Sequence, residues 1–275
     1  MAGSRAVTGA SSLPAESPHT EYGDGEVARG GEILRTVVGS GVHGIAIEGT
    51  DDHDELGVFI EPPEYVMGVR PPFDHYVFRT KPEGVRSEPG DTDLVMYSLR
   101  RYLQLAIKGN PTVLLPLYAP DEFVLARTPL GDELRDLADA LLSQQAVRRF
   151  LGYMEAQRRG VVDGRGAPKR PELVEKYGYD VKFASHALRL AYQGLEVARD
   201  GRLTLPMPEE QRERVRRVKR GEVTDVGEVL KEIDEIRDQV VDLLESGRTV
   251  LPPEPDRQRI EQWSVSAHRR HWGWE

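Results

Sequence analysis

The chain has 275 residues, of which 39% are hydrophobic and 30% charged, and it contains no cysteine. That composition is ordinary for a globular protein and excludes disulfides, thiolate metal sites and a cysteine nucleophile. No apolar run approaches the ~20 residues of a membrane-spanning helix, and the N-terminus lacks the apolar core of a secretory signal. We therefore expect a cytoplasmic protein without a membrane partner. The net charge of −9 argues against a cationic nucleic-acid coat but leaves room for a local basic groove.

The N-terminal half alternates short apolar runs with proline and glycine. Residues 1–27 are rich in Gly, Ser, Ala, Pro and Glu without periodicity, which predicts a flexible leader. The apolar residues at 33–38 predict a short helix or strand. Residues 55–60 predict a strand stopped by two prolines, and HYVFR at 75–79 predicts another.

A strand followed by a helix is predicted next. Residues 92–97 have the apolar character of a strand. Leu99, Tyr102, Leu103 and Ala106 then fall at i, i+3, i+4 and i+7, the spacing of an amphipathic helix. A Gly-Asn-Pro sequence after Lys108 stops that helix.

The chain becomes helical by period after about residue 130. Four helical units are predicted, at 130–160, 171–201, 209–222 and 226–247. We expect an α+β fold in which a mixed β-sheet flanked by helices precedes a helical C-terminal domain. The predicted boundaries are 1–27 for the leader, 28–128 for the catalytic domain, 129–250 for the helical domain and 251–275 for a C-terminal tail.

An acidic pair opens the strand at 55–60. Asp52 and Asp54 alternate along that strand, so they share one face about 7 Å apart. Hard carboxylate oxygens at that spacing favour Mg²⁺ or Mn²⁺. A third carboxylate would complete a site for two ions, and Asp93 is the best candidate. Asp91 is the alternative, because it lies on the same face if the later strand extends back.

Two further groups suit a phosphate ligand. Gly39 and Ser40 lie upstream of the acidic pair, where glycine permits close backbone approach and a hydroxyl with backbone N–H groups can hold phosphate oxygens. A second group shares one predicted helix face and can neutralise a triphosphate; it comprises Lys182, His186 and Arg189, with Ser185 beside them.

The segment GSGVHGIAIEGTDDHDELGVFIEP resembles the signature of DNA polymerase beta-superfamily nucleotidyltransferases. Within that superfamily the chain is similar to the RNA-repair-associated nucleotidyltransferase family of bacteria and phages. Further blocks carry the resemblance over roughly residues 30–260; they are DLVMYSLRRYLQLAIKGNPTVLLPLYAP, KYGYDVKFASHALRLAYQGLE and LPPEPD.

The resemblance implies a nucleotidyltransferase-type sheet, two divalent ions on Asp52, Asp54 and Asp93, and an NTP such as ATP at Gly39 and Ser40. The loop before the acidic pair is one residue longer than the family pattern, so an alternative register uses Asp51 and His53. We prefer Asp52 and Asp54, because the Gly-Val-Phe at 57–59 then matches the family's own.

The predicted function is metal-dependent transfer of an NMP from an NTP to an acceptor hydroxyl, with pyrophosphate release. The resemblance favours an RNA end as the acceptor. Two alternatives use the same fold: a non-catalytic nucleotide or RNA sensor, which binds without releasing pyrophosphate, and a metal-dependent NTP hydrolase, in which water replaces the acceptor. The sequence gives no indication of the oligomeric state.

Overall fold

Six strands form one mixed sheet in the computed structural model, which describes residues 19–47, 49, 53–85, 87–162 and 171–274. The strands are β1 (Thr20–Tyr22), β2 (Glu32–Val37), β3 (His53–Phe59), β4 (His75–Arg79), β5 (Thr92–Ser98) and β6 (Val124–Arg127). Their order across the sheet is β1-β4-β5-β3-β2-β6. β3 and β5 run parallel, whereas the other neighbours are antiparallel. The expected α+β fold class is confirmed.

The strands predicted from short apolar runs are present. HYVFR forms β4 with the predicted bounds, and β5 extends one residue beyond its prediction. The strand β6 was not anticipated. Part of the predicted leader is structured, because Thr20–Tyr22 pairs with β4 and a short helix begins at Gly25. The rest of that leader, residues 1–18, lies outside the described residues.

Thirteen helices accompany the sheet in the described part of the chain. The first five are α1 (Gly25–Gly30), α2 (Gly39–His43), α3 (Pro63–Val66), α4 (Leu99–Ala106) and α5 (Leu115–Tyr118). The others are α6 (Pro129–Arg135), α7 (Ala138–Leu141), α8 (Gln144–Val162), α9 (Pro171–Tyr177), α10 (Val181–Asp200), α11 (Glu209–Lys219), α12 (Val226–Glu245) and α13 (Arg257–His271).

Two of the predicted helical units are broken by side chains that restart a helix. The unit at 130–160 divides into α6, α7 and α8, and the Ser143 hydroxyl accepts from the Gln145 backbone N–H at the start of α8. The unit at 171–201 divides at Gly178, whose φ is +83°. Asp180 then accepts from two backbone N–H groups in the first turn of α10. Hydrophobic periodicity did not reveal these breaks.

Two apolar clusters cover opposite faces of the sheet. The smaller cluster lies beneath α1 and includes Phe59, Tyr76 and Met96. The larger cluster begins at Ile33 on β2 and continues through α4, α8, α10 and α12 to Ala267 on α13. The sheet and the C-terminal helices therefore share one continuous core.

The predicted C-terminal tail contains the docked helix α13. The indole N–H of Trp272 donates to the Glu61 carbonyl at 3.0 Å, and that of Trp263 donates to the Glu133 carboxylate at 2.8 Å. A cavity of about 850 Å³ lies between α4 and α13. Among the described residues, no helix combines the length and apolar character that a bilayer crossing requires.

Candidate active site

Asp54 and Asp93 lie side by side at the start of two parallel strands. The β3–β5 register pairs them directly, as it pairs the flanking His53 with Thr92. Neighbouring strands are ~4.8 Å apart, and paired residues of a parallel register point to the same face. Both carboxylates therefore lie on the same face of the sheet, at the end where β3 and β5 begin. That face also carries Leu56 and Val58, which belong to the larger core.

Gly39 lies directly against the Asp54 carboxylate. The backbone N–H of Val38 donates to the Asp54 carbonyl at 2.9 Å, which fixes the end of β2 beside the start of β3. A Cβ atom on Gly39 would lie only 2.1 Å from Oδ2 of Asp54, and its φ is +64°. The close approach and the left-handed backbone both require glycine. Ser40 follows in the first turn of α2.

Two side chains that the sequence analysis did not single out hold Asp93. The Nε of Arg79 lies 3.1 Å from Oδ1 of Asp93, and the Ser87 hydroxyl donates to Oδ2 at 2.9 Å. Arg79 also donates to Ser87 at 2.8 Å. The sequence does show an arginine at the end of the HYVFR strand. Its partner could not be identified from the sequence, because the pairing of Arg79 with Asp93 depends on the β4–β5 register.

The alternative third carboxylate, Asp91, has different partners. It accepts from the Thr80 hydroxyl at 3.0 Å and from the Glu88 backbone N–H at 2.6 Å. That backbone hydrogen bond is the largest cause that lowers the pKa of Asp91. Asp91 thus closes the β4–β5 connection, whereas Asp93 faces Asp54.

The other half of the predicted acidic pair, Asp52, lies outside the described residues, as does Asp51 of the alternative register. Within the part of the chain that the structure describes, no group of three His, Asp or Glu side chains has the arrangement of a metal site. Asp54 and Asp93 are hard oxygen donors that suit Mg²⁺ or Mn²⁺, and glycine at position 39 lets the backbone lie against the Asp54 carboxylate.

Helix α10 brings Arg189 to the end of α2. Its Nη1 donates to Nε2 of His43 at 2.9 Å and to Oε1 of Gln193 at 2.7 Å. His43 is the last residue of α2, three positions after Ser40 in the same helix. Spacing along the sequence placed Arg189 on a helix face but did not reveal this contact with the Gly-Ser segment.

The electrostatics around this contact are those of a partly buried cation whose hydrogen-bond partners are neutral. Burial lowers the pKa of Arg189 to about 10. Burial also lowers the pKa of His43 well below its ordinary value, and the charges of Arg189 and His186 add to that shift. No carboxylate of the described residues forms an ion pair with Arg189. A buried charge without a counter-ion is costly, which suits a position reserved for an anionic ligand.

The other residues of the predicted phosphate group occupy the preceding two turns of α10. Lys182 is exposed in the first turn and His186 is half-buried near His43. Ser185 is 4% exposed, and its hydroxyl donates to the Lys182 carbonyl at 3.2 Å. The structure therefore brings His186 and Arg189 to α2, while the Ser185 hydroxyl is bonded within its own helix.

Comparison with known proteins gives one family match. A model of the family described as "RlaP: RNA repair pathway DNA polymerase beta family" matches residues 29–265. A solved structure of a nucleotidyltransferase-like protein from Exiguobacterium sibiricum is 13% identical, with a TM-score of 0.30; the match covers 90% of this chain and 74% of that one. No curated protein matches the chain.

Proposed function

Because the chain belongs to the RNA repair pathway DNA polymerase beta family, and is thus a nucleotidyltransferase, we propose that it transfers an NMP from an NTP to a hydroxyl at an RNA end. Pyrophosphate is the leaving group. The observation that carries this proposal is the direct pairing of Asp54 with Asp93 beside Gly39.

The residues divide the task between two sides of the site. Asp54 and Asp93, with Asp52 as the third predicted ligand, would hold the divalent ions that nucleotidyltransferases of this superfamily generally use. Bound there, Mg²⁺ or Mn²⁺ would neutralise developing charge at the α-phosphorus and favour ionisation of the acceptor hydroxyl.

A second group of residues would orient the triphosphate. Gly39 lets the backbone approach the ligand closely, and Ser40 follows as a hydroxyl donor. Arg189 adds a guanidinium that no carboxylate of the described residues neutralises, and its partner His43 ends the helix that contains Ser40. Lys182, Ser185 and His186 extend this predicted nucleotide-binding group along α10. Orienting the substrate and neutralising its charge provide most of the catalysis in phosphoryl transfer.

An α-labelled NTP, supplied with Mg²⁺ or Mn²⁺ and with or without single-stranded RNA, tests the proposal. We expect the label on RNA together with pyrophosphate, and no transfer by Asp54→Asn. The Glu55→Gln variant is the matched control, because Glu55 lies on the opposite face of β3 and pairs with Arg35. Label in free NMP without RNA would instead identify a hydrolase. NTP binding without pyrophosphate would identify a sensor.

A further inference from the structure

The face of the sheet that carries Asp54 and Asp93 is covered unevenly. Residues at alternate positions of β5 point to opposite sides, and Leu94 and Met96 enter the smaller core. Asp93, Val95 and Tyr97 therefore share the other side. On this side Leu56 and Val58 of β3 are buried in the larger core, whereas Val95 and Tyr97 of β5 are only partly buried.

Aromatic rings cross this half-covered surface from strand to strand. The rings of Tyr22 on β1 and His75 on β4 stack with centroids 5.3 Å apart and planes 28° from parallel. The next pair, His75 and Tyr97 on β5, has centroids 6.3 Å apart. Tyr97 directly faces His75 in the β4–β5 register. The rings thus form a row perpendicular to the strands.

Two side chains on helices affect the electrostatics of Tyr97. Burial raises the pKa of Tyr97, the charge of Arg101 on α4 opposes that shift, and Tyr153 on α8 adds to it. The guanidinium carbon of Arg149 lies 5.8 Å from the Tyr153 ring centroid, and Arg148 and Arg149 are exposed. We call Tyr22, His75 and Tyr97 the aromatic row.

We propose that the aromatic row binds the unpaired bases of a single-stranded RNA whose 3′ end reaches Asp54 and Asp93. The inference rests on the proposed function, because it assigns the surface for the acceptor. Tyr97 and Asp93 share one face of one strand, four residues or about 13 Å apart. The aromatic row is therefore continuous with the carboxylates, at a separation of about two nucleotides.

The chemistry of the surface selects single strands. Bases stack on aromatic side chains regardless of sequence, and nearby cations hold the phosphates. In a duplex the bases are already stacked inside and cannot lie on the rings. The charge of Arg101 acts on Tyr97 in the row, and α8 adds the exposed Arg148 and Arg149, although the whole chain has a net charge of −9.

The test is binding of a fluorescein-labelled 12-nucleotide RNA, followed by anisotropy without NTP or divalent metal. We expect Tyr97→Leu and Tyr22→Leu each to weaken binding about fivefold or more, and Tyr97→Phe to bind like the unmodified protein. Arg101→Gln should flatten the salt dependence of the affinity. Trp274→Leu is the matched control, since Trp274 is an exposed aromatic near arginines that lines the cavity between α4 and α13 and makes no ring contact with the aromatic row.

Several results would overturn the inference. They are absence of RNA binding by the unmodified protein, unchanged binding by both leucine variants, and equal binding of a 12-base-pair duplex. Circular dichroism of each variant verifies the fold, and Tyr97→Phe distinguishes loss of the ring from loss of packing. This test separates the inference from the proposed function. RNA binding that depends on Tyr97, without any nucleotide transfer, would support the RNA-binding surface and reject the proposed reaction.

Discussion

Arg79 and Asp93 face each other across the β4–β5 pair, with the arginine Nε 3.1 Å from the carboxylate Oδ1. The Ser87 hydroxyl, in the connection between the two strands, donates to Oδ2, so both carboxylate oxygens of Asp93 have a partner. Asp93 is also the neighbour of Asp54 in the β3–β5 register. A cation bound between these aspartates would compete with Arg79 for the same oxygen.

Replacing Arg79 should therefore change the metal requirement. In Arg79→Gln the carboxylate loses a competing cation, while Ser87 still orients it. We expect half-maximal activity at a lower Mn²⁺ concentration, by about threefold, with a lower kcat because Asp93 is less firmly positioned. A Mn²⁺ titration of the initial rate measures both effects. Arg70→Gln is the control, since Arg70 pairs with Glu64 outside the site. An unchanged Mn²⁺ dependence would show that Arg79 does not compete with the metal ion for the Asp93 carboxylate.

The glycine beside Asp54 provides a sharper test of the geometry. Gly39→Ala places a Cβ within 2.1 Å of Oδ2, and alanine also resists a φ of +64°. Gly247→Ala is the matched control, because its φ is +67° with nothing within 4 Å of the added Cβ. Both variants should lose about 1–2 kcal/mol of stability from the left-handed backbone. Only Gly39→Ala should also lose transfer activity, by about 10²-fold or more. Equal activity in the two variants would contradict this assignment.

Arg189 should contribute to NTP affinity more than to stability. The structure gives this buried guanidinium two neutral partners, His43 and Gln193. In Arg189→Met the cost of a buried charge disappears, so we expect a change in Tm of only a few degrees. The Kd for an NTP should rise about tenfold or more, measured by calorimetry without acceptor. Arg199→Met is the control on the same helix, since Arg199 is exposed and pairs with Asp200. A large loss of stability with unchanged Kd would identify Arg189 as structural.

His43 makes stability depend on pH. Its pKa in the folded protein lies well below its ordinary value of 6.5, mainly because it is buried. Above about pH 6.5 the ring is neutral in both states and there is no penalty. As the pH falls below 6.5 the unfolded state gains a proton that the folded state does not, so stability decreases. We expect Tm to fall between pH 7 and pH 5, and His43→Asn to reduce that slope. The same slope in the variant would exclude His43 as its source.

The strands were predictable because each is a short apolar run bounded by turn-forming residues. HYVFR and the run after Asp54 both form strands as expected. The break at Gly178 and Asp180 was missed, because α9 can end and Asp180 can cap the start of α10 without any change in the hydrophobic period. The early strand β1 was missed because three residues provide too short a pattern.

The site was predictable only where its residues are close in sequence or adjoin a recognisable strand. Gly39 and the acidic segment are close in sequence, and Asp93 was identified from its place before an apolar strand. The partners Arg79 and Ser87 depend on which strands are neighbours, which alternation does not specify. The contact between Arg189 and His43 joins residues 146 positions apart. The roles assigned to Asp52, Asp54 and Asp93 stay predictions for the experiments above.

The continuous core has a consequence during synthesis on the ribosome. β2 and β3 emerge early, but their apolar side chains belong to a cluster that also includes residues of α8, α10 and α12, which are made much later. A nascent chain that ends before α8 would leave this cluster incomplete and expose part of it to water and to other nascent chains. We infer that stable chain folding completes only after α12 has emerged, and that fragments ending before it aggregate.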